Sequence, residues 1–215
     1  MTRPAVLHVR CGAPSLMVLL PGALMTPQHI ADAGLFDAVM QRGLALDLMA
    51  LDLHAHDRGD LAALKILDQQ VLAPARAQYK HIWLGGISRG GQLAMSYLAE
   101  QTGRLDGICL LAPYPGSRLT TNAIARAGGL QAWNPSDAQM QDPEFRLWHW
   151  LKRPTVDAPV FLGYGEQDRF ADGMQLLAAQ LPMADVRTVP GAHDWTAWTA
   201  LWTRFLALGH FGAPT

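Results

Sequence analysis

The chain has 215 residues, half of them apolar, and a formal net charge of −1. That length builds one substantial core, and a charge balance near zero excludes a nucleic acid or an acidic membrane surface as an electrostatic partner. Charged residues make up only 16% of the chain, which excludes intrinsic disorder.

The two cysteines, Cys11 and Cys109, form no C-x-x-C pair. Both read as small core residues of a reducing compartment, and the protein as cytoplasmic. The apolar run at 15–25 (SLMVLLPGALM) lacks a basic leader and a small-x-small cleavage site. Pro21-Gly22 interrupts it, and it is too short to span a bilayer. It reads as a buried strand and a turn.

In chain order, residues 5–10 (AVLHVR) read as a short strand. The CGAP turn at 11–14 predicts that the next strand, 15–20, pairs with it antiparallel. Residues 28–42 read as a helix ending before Gly43. The leucines of 44–53 (LALDLMALDL) fit a strand or a helix; their place between two helices favours the strand. Residues 61–79 read as a helix with a kink near Pro74. There follow a strand at 81–87, a helix at 92–101, a strand at 105–111, a long irregular stretch and a strand at 159–164. A helix at 173–181, a strand at 186–189 and a closing helix at 195–208 complete the chain.

Strands alternating with helices predict an α/β fold, a mostly parallel central sheet with helices on both faces. Residues 114–157 break the alternation with Pro, Gly and Asn clusters and with Trp133, Phe145, Trp148 and Trp150. An insertion after a strand of a parallel sheet falls at the carboxyl ends of the strands, where such sheets bind ligands. This one reads as a short lid on a single domain covering residues 1–215.

The densest motif is GGISRGG at 85–91, in which Gly86-Ile87-Ser88-Arg89-Gly90 matches G-x-S-x-G between a strand and a helix. A strand that turns straight into a helix strains the bend residue, and the neighbours two positions away must be nearly bare. The bend thrusts the Ser88 hydroxyl out beside a helix N-terminus, where developing negative charge is favoured. Gly91 eases packing of the new helix. The plain alternative is a glycine-rich strand–helix contact with an incidental serine.

With GEQD at 165–168, GAHDW at 191–195 and LLPGA at 19–23, and with an element order that matches over nearly the whole chain, the sequence resembles the α/β-hydrolase superfamily. The likeness is to its small bacterial serine hydrolases of the carboxylesterase and thioesterase kind. The resemblance implies a catalytic triad in the chain order Ser, acid, His. Of eight histidines, His193 lies in the loop between the last strand and the last helix, where the family places its base. Asp194 then reads as the N-cap of the helix from Trp195. Asp168 fits the family's G-x-x-D spacing from Gly165 as the acid; Glu166 reads as a solvated loop charge and Asp172 as a helix cap. The implied oxyanion donors are the N–H groups of Arg89 and Ala23, with Leu24 one register away. Pro21-Gly22 stands where many relatives have His-Gly. The Arg89 side chain reads as a surface or ion-paired group, or as a contact to a lid carboxylate or an anionic feature of the substrate.

Two other patterns compete for attention. His54-x-His56-Asp57 is similar to part of the H-x-H-x-D-H motif of metallo-β-lactamase-like hydrolases, but Arg58 and Gly59 break the register, so no metal is expected. Trp195, Trp198, Trp202 and Phe205 fall at helical spacing and read as the buried stripe of the last helix. Leu24, Trp133 and Trp148 are the candidates for contact with an acyl group, packing of the lid onto the sheet being an equal alternative for the tryptophans.

The expected protein is a hydrolase that cleaves a small-molecule carboxylic ester or thioester through an acyl-enzyme. It needs no cofactor, and neither nucleic acid nor membrane is a partner. The alternative is a thioesterase or acyltransferase working on acyl chains bound to CoA or to a carrier protein. Peptidase or lactonase chemistry is compatible with the same triad, and a catalytically silent binding protein on this scaffold is a third reading.

Overall fold

The computed structural model describes residues 4–53, 59–100 and 103–212. In spatial order the sheet runs β1 (Val6–Val9), β3 (Leu46–Leu51), β2 (Ser15–Leu20), β4 (His81–Ile87), β5 (Gly107–Leu111), β6 (Val160–Gly165), β7 (Asp185–Val189). Only the β1–β3 pair is antiparallel.

Every residue of β2, β5 and β6 is buried, and in β4 all but His81 are. Strands with no exposed alternate face need cover on both sides. Helix α5 (Arg89–Ala99) packs on β2, β4 and β5 and meets α3 (Asp60–Ile66) and α7 (Pro143–Trp150). Helix α9 (Trp195–Leu206) packs on β5, β6 and β7 and meets α2 (Leu35–Gln41). Trp198, Trp202 and Phe205 of α9 are buried as their spacing predicts, while Trp195 is only partly so. No helix among the described residues is long and apolar enough to cross a membrane.

The structure corrects several local expectations. β1 does not pair with β2. It pairs with β3, and β2 lies between β3 and β4. The turn at 11–14 therefore carries the chain past the end of β3, and the Asp47 carboxylate of β3 holds it there. Asp47 Oδ1 accepts from the N–H of Cys11 at 2.8 Å and of Ala13 at 3.1 Å, and Oδ2 accepts from the Tyr79 hydroxyl at 2.8 Å. Burial favours the neutral acid, but these donors win and hold the Asp47 pKa below its ordinary value. Cys11 is exposed rather than in the core; Cys109 is fully buried, and burial pushes its thiol pKa up.

The helix expected over 28–42 is two helices, α1 (Pro27–Asp32) and α2, broken at Gly34, whose φ is 79°. The helix expected over 61–79 starts as α3, widens to a π-helical turn at Leu67–Leu72 and closes as α4 (Ala73–Ala75). Pro74 has no N–H to offer the preceding turn, and the wider turn absorbs that loss. Asp172 is not a cap: it lies in the first turn of α8 (Ala171–Gln180), behind Phe170. Between β5 and β6 the 114–157 stretch holds α6 (Arg118–Arg126), a short 3₁₀ turn at Gln139–Gln141, and α7. The His54–Asp57 motif lies outside the described residues.

Candidate active site

The site forms at the carboxyl ends of β2, β4, β5, β6 and β7. β4 ends at Ile87, Ser88 follows, and α5 begins at Arg89, three residues earlier than expected. Ser88 has φ 52° and ψ −114°, a conformation costly for any residue with a side chain. The bare neighbours explain how the bend closes. A Cβ on Gly86 would lie 2.2 Å from the Gly90 carbonyl carbon, and one on Gly90 would lie 2.0 Å from the Leu20 carbonyl oxygen. Both positions must be glycine for β4, α5 and the end of β2 to share this space. Ser88 is fixed on both sides of its peptide plane: its N–H donates to Leu111 O at 3.0 Å, and its carbonyl accepts from Tyr114 N–H at 2.8 Å.

The Ser88 hydroxyl meets His193 Nε2 at 2.8 Å, and His193 Nδ1 meets Asp168 Oδ2 at 2.6 Å. The Asp168 side chain is wholly buried and that of His193 is 9% exposed. The other Asp168 oxygen accepts from Phe170 N–H at 2.8 Å. An ionised carboxylate only accepts, so the imidazole proton belongs on Nδ1 and the Nε2 lone pair faces the serine. Phe170 and Trp198 stand edge-on to the His193 ring, with centroids 5.0 and 5.2 Å away, and close its flanks against water. Asp194 caps α9, accepting from Ala197 N–H at 3.2 Å, so the residue after His193 is anchored too.

The loops bearing Asp168 and His193 are tied to each other. Gly191 O accepts from Gln167 N–H at 2.9 Å, and Gly191 N–H donates to Gln167 Oε1 at 2.6 Å. A Cβ on Gly165 would strike Gly191 O at 2.3 Å. Glu166 points outward and, among the described residues, its carboxylate accepts from the Thr188 hydroxyl at 3.4 Å.

The β2–α1 turn lies against the serine bend: a Cβ at Gly22 would come within 3.3 Å of Ile87 O. Inside this turn the Met25 N–H donates to Gly22 O at 3.1 Å and the Gly22 N–H to Met25 Sδ at 3.3 Å. The Ala23 and Leu24 amides have no acceptor among the described residues. Arg89 is the first residue of α5, so its N–H has no partner within the helix. The Leu24 side chain is 98% exposed on a backbone of positive φ.

The Arg89 guanidinium finds its partners on α5 and α3. It donates to Asp60 Oδ1 at 2.5 Å and to Gln92 Oε1, joining α5 to the start of α3. Asp60 was not foreseeable as this partner, because the helical stretch from α3 to α4 and strand β4 separate the two in sequence. Trp133 and Trp148 are 4% and 1% exposed. Trp148 Nε1 donates to Pro115 O at 2.8 Å, and Trp133 packs on Phe145. Of the two readings open for these tryptophans, the burial favours packing over contact with an acyl group.

Searched by sequence, the chain matches no protein-family model and no curated protein. Its fold has many counterparts among solved structures. MenH from S. aureus superposes with a TM-score of 0.67 at 16% identity, over 97% of this chain and 98% of that one. A monoacylglycerol lipase from Paleococcus ferrophilus gives a TM-score of 0.67 at 14% identity, over 96% and 98%. FphF, a fluorophosphonate-binding serine hydrolase of Staphylococcus aureus, gives 0.64 at 14% identity, over 97% and 84%. The strand order, the coverage of nearly the whole chain and these superpositions establish that this protein has the α/β-hydrolase fold.

Proposed function

We propose that the protein is a serine hydrolase of carboxylic esters or thioesters. The observation that supports this best is the unbroken relay of Ser88 Oγ, His193 and Asp168, at 2.8 and 2.6 Å. The kinds of protein that share the fold, a lipase and a serine hydrolase among them, agree with it.

In this reading His193 Nε2 takes the hydroxyl proton as Ser88 Oγ attacks the substrate carbonyl. Charge develops on the carbonyl oxygen, and the amides of Ala23 and Arg89 receive it. The tetrahedral adduct collapses as His193 returns the proton to the departing alcohol or thiol. A water then attacks the acyl-enzyme with its proton passing to His193, and the acid leaves as Ser88 regains its hydrogen. Asp168 keeps Nδ1 protonated and steadies the imidazolium in both halves. Residues 114–157 act as the cover over the site, and the substrate is a small molecule.

The deciding experiment is covalent labelling with a fluorophosphonate probe. The wild type is expected to be labelled and Ser88→Ala not; an unlabelled wild type would favour the silent scaffold. Turnover of p-nitrophenyl esters against acyl-CoA thioesters then separates the ester from the thioester reading.

A further inference from the structure

A groove of about 540 Å³ runs between the start of α6 and the start of α8. One wall is Tyr114 and Pro115, which follow β5; the other is Phe170 and Leu176. Both walls touch the relay. Tyr114 N–H is bonded to Ser88 O, and the Phe170 ring abuts His193 at 5.0 Å. Tyr114 and Phe170 meet edge to face at 5.1 Å and close the groove's inner end. The groove's inner end, beside the His193 ring, is thus aromatic.

Its rim is cationic. Arg118 stands on one side and Arg169 on the other. Arg169 Cζ lies 4.8 Å over the Phe170 ring, which is itself in contact with His193. Neither guanidinium makes an ion pair among the described residues. Of the nearby carboxylates, one is taken up by hydrogen bonds and the other shares the groove. Glu144 accepts from Ser117 N–H, from the Ser117 hydroxyl and from the Thr120 hydroxyl. Asp172, which also lines the groove, sits in the first turn of α8, where its charge complements the helix amides. Arg89, the other cation near the bend, is neutralised by Asp60. Two guanidiniums without an ion pair among the described residues, against the single carboxylate of Asp172, rim a groove whose Phe170 wall touches His193, and that excess of positive charge matches a substrate that brings its own negative charge.

We infer that this hydrolase acts on an ester or thioester whose body lies against Tyr114, Phe170 and Leu176 and which ends in an oxyanion, a carboxylate or a phosphate, held by Arg118 and Arg169. The inference rests on the proposed serine hydrolase activity.

The test compares matched esters that differ in charge. p-Nitrophenyl valerate and mono-p-nitrophenyl glutarate vary the acyl half; phenyl acetate and 4-acetoxybenzoate vary the alcohol half. A phosphonate in place of the glutarate carboxylate separates the two anion chemistries. In the double variant Arg118→Gln/Arg169→Gln the charged-to-neutral ratio of kcat/KM is expected to fall about tenfold in one of the pairs, chiefly through KM. Arg118→Lys/Arg169→Lys is expected to restore most of the ratio, and added salt to shrink the wild-type preference. Ratios unchanged in both pairs, with fluorophosphonate labelling of the wild type intact, would overturn the anion site alone. Loss of labelling in the wild type would overturn the hydrolase reading and the anion site with it.

Discussion

His193 Nε2 stands 2.8 Å from Ser88 Oγ across a separation of 105 residues. Nothing local holds them together; the parallel sheet does, by ending β4 and β7 at the same edge. Ser88→Ala is expected to lower ester hydrolysis by roughly 10⁴-fold or more without altering the fold. Asp168→Asn places an amide where the carboxylate accepted, so the ring is drawn into the other tautomer and Nε2 can no longer take the serine proton. Its rate is expected to fall roughly 10³–10⁴-fold. Steady-state hydrolysis of a p-nitrophenyl ester, with far-ultraviolet circular dichroism as the control, checks both. A loss of less than tenfold in either variant contradicts the relay.

Gly90→Ala tests the bend itself. The added methyl would sit 2.0 Å from a carbonyl oxygen of β2, a contact that only backbone movement relieves. We expect a loss of about 2–4 kcal/mol, with activity falling as the turn of β2 is pushed away from Ser88. Gly212→Ala, where nothing lies within 4 Å, is the matched control and should cost nothing measurable. Urea unfolding of the two variants decides the point; equal stabilities would contradict the packing argument.

Asp47 predicts a pH dependence of stability. Its folded pKa is held below the ordinary 3.8, by Cys11, Tyr79 and Ala13 acting against burial. A depressed carboxyl contributes stability above its unfolded pKa and loses it as the pH falls through the folded one. Asp47→Asn should therefore cost about 2 kcal/mol at neutral pH, and the gap from wild type should narrow as the solution is acidified below about pH 4. Urea unfolding across that range measures it. A gap that stays constant would mean that Asp47 acts through shape rather than charge.

Trp148→Phe separates packing from substrate contact. The variant loses a buried hydrogen bond and leaves Pro115 O without its donor, at a cost of about 2 kcal/mol. For a domain of this length that is a fall of roughly 4–8 °C in Tm. The preference among p-nitrophenyl esters of graded acyl length should keep its shape. A shifted optimum would put Trp148 in the acyl pocket.

Much of the architecture was legible because its signals are local. Apolar runs bounded by turns located the strands, and Gly86 is demanded by a contact with Gly90, within the same motif, although Gly90 is bare because of Leu20, far off in sequence. His193 and Asp168 were legible through a different kind of knowledge, the resemblance, since spacing alone does not select one histidine of eight. What escaped depends on partners distant in sequence. The short apolar stretch of β1 reads as a strand, but does not show that Asp47 would draw the next turn across β3. The expected single helix over 28–42 ran through Gly34, whose positive φ divides it into α1 and α2. The Asp60–Arg89 pair and the burial of Trp148 follow from how helices meet, which no single segment encodes.

The ties between Gln167 and Gly191 hold the Asp168 and His193 loops to each other without any contribution from Ser88. β6, β7 and their two loops form a self-contained cassette, clasped backbone to backbone at Gly165. An engineer grafting this proton-handling pair onto another scaffold would have to transplant both loops together and leave residue 165 bare, because separating them would scatter the pair even if each side chain were kept.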